Sequence, residues 1–363
     1  MWMDLNKSAG KKMVIIFTGG LKAGGAEKQS RLLAVSLKST YNVQLISYHG
    51  DQYMQRNIDF LNSENIKYIR LTGNPIKKNI HLLYYILNTK PSAIINFLPS
   101  NNMIGGFWGR LFGINNVIGS IRTTKIDTRF KHIQLLFSHY IFDHITVFNS
   151  YAGLNYNSTK GFSKSRSTVI QNCIYPIPPI LERQINDEIV ILMVSRFEEY
   201  KDYFTALNAF EKLISCNTNK KIKFQIVGIG PLENRIRNWI EEHQLEDIID
   251  VAVNPENIEY YFKKASIFLQ TSTTEGFSNS IMEAMAYSLP IVATDVGDNK
   301  YMVIEGTNGY LVPIKQPMAI VSALSKIIDF DQKRIEMGRK SYDLITTNYS
   351  IEWFAKKFQE IIG

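Results

Sequence analysis

Short apolar runs, each closed by glycine or a polar turn and followed by a helix-length pattern, recur along this chain of 363 residues. The first is MVIIF, Met13–Phe17, bounded by Gly19 and Gly20. A run with no polar face suits a central parallel strand that is covered on both sides. Beyond it, a Gly24-Gly25 pair precedes a helical pattern with apolar residues at Leu32, Leu33, Val35 and Leu37. VQLIS, Val43–Ser47, then completes a βαβ unit. The alternation continues through Ile66–Leu71, Ala93–Leu98, Val117–Ile121, Ile145–Phe148 and Thr168–Gln171. Parallel strands need helical crossovers, so this half reads as one parallel-sheet α/β domain.

The Pro-rich segment from Asn172 to Asp187 breaks the pattern and reads as an interdomain linker. A second series starts at IVILMVS, Ile189–Ser195, and runs on through KFQIVGIGPLENRIRNWI, VAV, IFLQ and PIVA. The expected division is an N-terminal domain over 1–172, a linker over 173–186, a C-terminal domain over 187–347 and a last helix over 348–363. Ser350 is placed to cap that helix, whose apolar positions are Ile351, Phe354, Phe358 and Ile361.

Composition narrows the class. Residues 1–175 hold 21 Lys and Arg against 7 Asp and Glu, whereas the remainder holds 20 against 26. An anionic partner is therefore expected on the N-terminal half: nucleic acid, an anionic membrane surface or a lipid diphosphate. Ordinary surface lysines are the plainer reading. The segment SIRTTKIDTRFKHIQLLFSHYIF sets Arg122, Lys125, Arg129 and Lys131 beside an apolar stretch from Leu135 to Phe142. It suits either a membrane surface or core packing. Two cysteines, Cys173 and Cys216, do not make a disulfide framework or a thiolate metal site. The opening MWMDLNKSAGKK lacks the pattern of a signal peptide, and no window reaches eighteen apolar residues. A cytoplasmic location, or one on the inner face of the cytoplasmic membrane, is expected.

The most informative chemistry lies in TSTTEGFSNSIMEAMAYSLPIVATDVGD, Thr271–Asp298. Glu275 precedes a helix and Glu283 sits near its second turn, about 10 Å apart by helical rise. That separation suits two ends of one ligand better than a shared proton. First-turn N–H groups between Ser278 and Ile281 could receive a phosphate, so a sugar nucleotide fits the arrangement. Arg196 and Lys201 follow a strand, where parallel sheets bind ligands, and could hold a diphosphate; solvated loop charge is the bland alternative. Gly228 and Gly230, with Pro231 as a first helical residue, suit backbone approach to a base or simple turn chemistry. GxGxxG is missing, which disfavours a dinucleotide. Asp329-Phe330-Asp331 matches a metal-holding pattern but reads better as a helix stop and cap, and the histidines show no ligand spacing.

These pieces together resemble the retaining glycosyltransferases of family 4. In the C-terminal half the likeness rests on VSRFEEYKDYFTALNAF, IVGIGPL, the Thr271–Asp298 stretch and NGYLVP; in the N-terminal half, on GGAEKQSRLLAVSL, FNSYAGLNY and VIQNCI. The resemblance implies a GT-B fold: two Rossmann-like parallel-sheet domains across a cleft, with the C-terminal helix returning to the N-terminal domain. It implies a nucleoside-diphosphate sugar as donor, a glycan or lipid-linked acceptor, no nucleic acid partner, and no metal or other cofactor. Carried over, Glu275 contacts the donor sugar with the backbone at Gly276 and Phe277, and Glu283 binds the ribose. Arg196 and Lys201 hold the diphosphate with Ser278, Asn279 and Ser280, while Gly24 and Gly25 approach the phosphates or the acceptor. Gly297-Asp298 departs from the family's usual Gly-Gly-acid turn. A 2-epimerase-like isomerase, a basic nucleic-acid-binding module and a non-catalytic transferase relative are the competing readings.

Overall fold

A computed structural model describes residues 10–22, 24–126, 128–185, 187–215 and 220–363, so Cys216 and the first nine residues lie outside the described residues. The chain divides into two compact units. One comprises Met1–Tyr175 with Ile351–Gly363, the other Pro176–Ser350.

The first unit is built on seven parallel strands: β1 (Met13–Thr18), β2 (Asn42–Ser47), β3 (Lys67–Arg70), β4 (Ala93–Phe97), β5 (Asn116–Ile121), β6 (Ile145–Phe148) and β7 (Ser167–Val169). Their order is β3-β2-β1-β4-β5-β6-β7. The helices between them are α1 (Gly25–Leu37), α2 (Gln55–Ser63), α3 (Pro75–Thr89), α4 (Pro99–Leu111), α5 (Arg129–Phe137) and α6 (Tyr151–Ser158). From β1 to β3 the chain steps outward one way, and from β4 onward it steps the other way. Right-handed crossovers therefore set α1 and α2 on one face and α3, α4 and α5 on the other. The core shows both faces. Val14, Ile16, Leu45 and Ile95 pack with Leu33 and Leu37, whereas Ile15, Phe17, Ile46 and Ile94 pack with Leu82 and Ile86.

The second unit has six parallel strands: β8 (Glu188–Val194), β9 (Lys221–Gly228), β10 (Ile249–Val253), β11 (Ile267–Gln270), β12 (Ile291–Thr294) and β13 (Gly309–Val312). They run in the order β10-β9-β8-β11-β12-β13. Its helices are α7 (Tyr203–Ser215), α8 (Glu233–Glu242), α9 (Ile258–Lys264), α10 (Asn279–Ala286), α11 (Asn299–Met302), α12 (Pro317–Ile328) and α13 (Asp331–Asn348). The last helix, α14 (Ile351–Ile362), belongs to the first unit, where Phe354, Phe358 and Ile362 join the core beside α1.

Two local expectations change. Pro231 lies in the turn before α8, which starts at Glu233, because Gly230 turns back against the Phe197 backbone. Asp329 ends α12 as expected, but Phe330 holds the cap position of α13 and Asp331 is its first residue, bound to Lys220 and Arg334. Among the described residues no cluster of potential metal ligands occurs, and no helix is long and apolar enough to cross a membrane.

Candidate functional site

In the second unit the strand order turns at β8, whose neighbours β9 and β11 continue in opposite directions. The carboxyl ends on either side of such a switch diverge and leave a crevice. The turn after β8 carries Arg196 to Lys201, and the loop after β11 carries Thr271 to Ser278. Hydrogen bonds tie the two together. Thr273 N–H donates to the Tyr200 carbonyl at 2.8 Å, and the Thr271 hydroxyl to those of Lys201 and Asp202 at 3.0 and 2.9 Å.

This join brings Lys201 onto Glu275. The ammonium binds Glu275 Oε1, with side-chain exposures of 12% and 11% for the lysine and the acid. The same oxygen accepts from Ser272 Oγ at 2.8 Å and Gln270 Nε2 at 3.2 Å. Three donors on one oxygen fix the carboxylate rotamer. Gln270 also donates to Ser278 Oγ at 2.7 Å, and its own oxygen accepts from Asn299 Nδ2 at 2.6 Å. Ser278 Oγ in turn accepts the Ile281 amide at 3.4 Å, capping α10. One buried amide therefore links the acid to the helix start.

The Ile281 amide, expected among the phosphate-receiving groups, is thus spent on the cap. Arg196 lies further out. It is 66% exposed, pairs with Glu198 at 2.6 Å and donates to the Tyr200 hydroxyl, so of these two cations Lys201 is the one paired with Glu275. Tyr200 lies under both cations, with Lys201 Nζ 5.0 Å from its ring centroid, and burial raises its pKa. Glu283 is half-buried on α10, one turn beyond Asn279 and Ser280. Phe277 is buried, its ring 5.4 Å from that of Tyr349, so this residue can offer a ligand its backbone but not its ring face.

The glycines divide by what presses on them. At Gly297, φ is +58°, and a Cβ would stand 2.5 Å from the Glu275 carbonyl oxygen. The turn that departs from the family pattern therefore braces the Glu275-Gly276 backbone, which Asp298 N–H also binds at 2.9 Å. A Cβ on Gly228 would meet the Ser195 carbonyl oxygen at 1.9 Å, so turn packing explains that glycine fully. Gly24 adjoins the first turn of α1, where the Glu27 carboxylate would stand 2.2 Å from its Cβ. An acid already faces the positive end of that helix.

The first unit has its own switch point, between β1 and β4. Gly19 closes against Leu98, a non-glycine residue at φ +78°. After β5, Arg122 turns inward. Its Nε donates to Ser120 Oγ at 2.8 Å, its Nη1 to Asn172 Oδ1 at 3.2 Å, and the guanidinium covers the Phe97 ring at 4.8 Å. Among the described residues no carboxylate pairs with it and its Nη2 has no hydrogen-bond partner, while burial lowers its pKa to about 10. Arg122 is thus no part of the basic collar that the sequence suggests. Sequence reasoning also missed Gln270, Ser272, Tyr200 and Asn299 as site residues. The one available signal was the polar end of the apolar strand IFLQ.

Two parallel Rossmann-like units, with the last helix on the first, give this chain the GT-B fold. Residues 182–344 match the model of the family glycosyl transferases group 1, so the C-terminal unit is a domain of that family. The chain is 31% identical over 154 residues to WcaL of Salmonella typhimurium, described as a colanic acid biosynthesis glycosyltransferase. That match covers 40% of this chain, and the chain spans only 37% of that relative's length. It is 21% identical to the amylovoran biosynthesis glycosyltransferase AmsD of Erwinia amylovora over 97% of this chain and 99% of AmsD. HepE of Anabaena, solved with UDP, superimposes with a TM-score of 0.78 at 16% identity, covering 96% of this chain and 98% of HepE.

Proposed function

We propose that the protein is a retaining glycosyltransferase, moving a hexose or N-acetylhexosamine from a nucleoside-diphosphate sugar to a lipid-linked glycan in surface polysaccharide biosynthesis. The observation that carries this reading is Lys201 held on Glu275, together with Gln270 and Ser272, beside the capped start of α10. The structures of HepE with UDP and with UDP-glucose support the donor class. The polysaccharides in the names of WcaL and AmsD, colanic acid and amylovoran, support the product class.

In this reading Glu275 orients the sugar hydroxyls, helped by the Gly276 and Phe277 backbone, and Glu283 binds the ribose. Lys201, Arg196 and the α10 start at Ser278, Asn279 and Ser280 offset charge on the departing diphosphate. Gly228 and Gly230 flank the base, and Gly24 and Gly25 border the acceptor. The acceptor hydroxyl attacks the anomeric carbon on the side from which the diphosphate leaves. As the carbon–oxygen bond to phosphate breaks, the leaving phosphate oxygen takes the hydroxyl proton. Glu275 acts as a positioning group, not a nucleophile, since three donors already hold one of its oxygens. The protein's own cations and amides supply the positive charge, so the reading calls for no metal.

The test is a panel of nucleoside-diphosphate sugars, scored for binding, acceptor-free hydrolysis and transfer. Transfer with the anomeric configuration kept supports the proposal. Donor isomerisation without acceptor would favour the epimerase, and oligonucleotide binding with no sugar-nucleotide affinity would favour a nucleic-acid module.

A further inference from the structure

Helices α3, α4 and α5 share one face of the first sheet, and each turns a bulky apolar stripe to solvent. On α3, Asn74 accepts the Lys77 amide at 2.9 Å and Pro75 begins the helix, which sets its phase. Leu82 and Ile86 then face the core, while Ile76, Ile80, Tyr84 and Leu87 stay exposed, Ile76 by 72%. α4 lies close on the sheet, for a Cβ on Gly105 would reach Asn96 at 1.9 Å and one on Gly109 would reach Val117 at 2.8 Å. Its large residues Phe107 and Leu111 therefore point away from the sheet and are exposed. α5 runs on through one π-helical turn, Ser138–Phe142, and exposes Phe130, Ile133, Phe137 and Ile141, with Phe130 at 69%. The stripes adjoin. Trp108 on α4 donates to Asn79 on α3 at 2.8 Å, and the Phe142 ring lies 6.3 Å from that of Phe107 and 5.4 Å from that of Phe137.

Charge decides what such a face can meet. From residue 65 to residue 181 there are 13 Lys and Arg and only two acids, Asp127 and Asp143. Asp143 is buried, and α3, α4 and α5 contain no acid at all. Lys77, Lys125, Arg129 and Lys131 are exposed around the stripes. Apolar residues that enter a lipid interface, ringed by cations, are what an anionic bilayer binds. A second copy is a poor occupant. A twofold contact pairs a patch with itself and would set cation against cation, with no acid on α3, α4 or α5 to answer. We propose that this face of the N-terminal unit docks on an anionic phospholipid bilayer, with the aromatic and aliphatic side chains of α4 and α5 inserted and the lysines at the head groups.

The experiment is co-sedimentation of the full chain with vesicles of phosphatidylcholine alone or mixed with phosphatidylglycerol. It needs no sugar nucleotide, so its failure is separate from failure of the proposed transferase activity. Binding is expected only to the anionic vesicles. The triple variant Phe130→Ser, Ile133→Ser, Phe137→Ser should weaken it about tenfold or more. The pair Lys77→Glu, Lys131→Glu should abolish it at physiological salt. Lys11→Glu with Lys356→Glu, an equal charge change away from this face, should leave binding within about twofold. Thermal melting of each variant confirms folding. Three results would overturn the proposal: no binding of wild type at low salt, unchanged binding of the serine variant, or a dimer that this variant dissociates in the absence of any vesicle binding.

Discussion

In the C-terminal unit, the strands beside the switch point end in side chains that bind one another: Gln270 to Ser278 and Asn299, and Lys201 to Glu275. In the N-terminal unit the equivalent ends carry Gly19 and Leu98 at φ +78°, and one strand further on, after β5, stands Arg122 with no carboxylate partner among the described residues. The two sheets share one construction but present different chemistry at their carboxyl edges. A preorganised ion pair suits a charged ligand that must be held in one pose. An open edge without such a pair suits a larger, less charged ligand whose shape does the selecting. On this comparison we propose that the donor binds the second unit and the acceptor the first.

The largest effect should follow from breaking the ion pair. Lys201→Ala is expected to lower kcat for transfer by about 10²–10³-fold or more, the scale for losing a positioned charge at a leaving group. Glu275→Gln keeps the Ser272 and Gln270 contacts available but removes the charge, and should lower kcat/KM by a similar factor. Both variants should keep a cooperative thermal transition. Near wild-type turnover in either one would remove the site from the second unit.

A smaller effect separates the glycines of the two units. An alanine at Gly297 meets backbone carbonyls at a positive φ, so the Glu275-Gly276 segment must shift. Displacement of a positioning group by even about 1 Å is worth about 10²-fold in rate. An alanine at Gly24 meets the carboxylate end of the Glu27 side chain rather than backbone and should stay within about threefold of wild type. Steady-state kinetics on both variants tests the contrast. Equal losses would mean that the first unit's turn is as tightly built as the second's.

How much of this was legible in the sequence differs between the units for a physical reason. The two acids around a helix start and the cations after β8 must be charged and spaced along the chain, so they leave a pattern. Gln270 and Ser272 act through contacts that only strand pairing creates. Gly228 left a ligand contact and a tight turn equally open, because close backbone packing and ligand approach both demand glycine. In the first unit, α3 is apolar on two sides, Leu82 and Ile86 on one and Ile76, Ile80 and Leu87 on the other. Periodicity cannot tell which of two such stripes meets the sheet. Arg122 adjoined Lys125 and Arg129 in sequence and looked like surface charge, until the end of β5 turned it inward. β13 is four residues led by glycine, too short for a pattern, yet it pairs along its full length with β12.

Arg122 sharpens the division between donor and acceptor. If the first unit holds the acceptor, Arg122→Ala should raise the acceptor KM by about tenfold, in line with loss of one charged hydrogen bond. Donor affinity, measured by calorimetry with the nucleoside diphosphate, should not change. A matching loss in donor affinity would place Arg122 with the donor instead and dissolve the comparison.

The smallest effect tests a buried network that the C-terminal unit does not share. Asp143 accepts from Ser138 Oγ at 3.0 Å and Thr146 Oγ1 at 2.9 Å, and burial pushes its pKa up to about 7. With its proton given to Asp143, Thr146 Oγ1 must accept from His139 Nδ1 at 2.8 Å, while His139 Nε2 accepts the Ser163 amide at 3.1 Å. Neither ring nitrogen can take a further proton without losing a bond. Burial first, and Arg166 second, bring the His139 pKa down to about 4. The two slopes oppose each other. A raised carboxylate pKa gives stability that is present below about pH 4 and lost by about pH 7; a depressed imidazole pKa gives stability present above about pH 6.5 and lost by about pH 4. Wild type should therefore show little net dependence across this window. Asp143→Asn removes the first slope and leaves the second, so its melting temperature should rise between pH 4 and pH 6.5, by roughly 2–4 °C more than wild type. Melting curves at half-unit pH steps decide it, and parallel curves for variant and wild type would show that the network does not titrate as a pair.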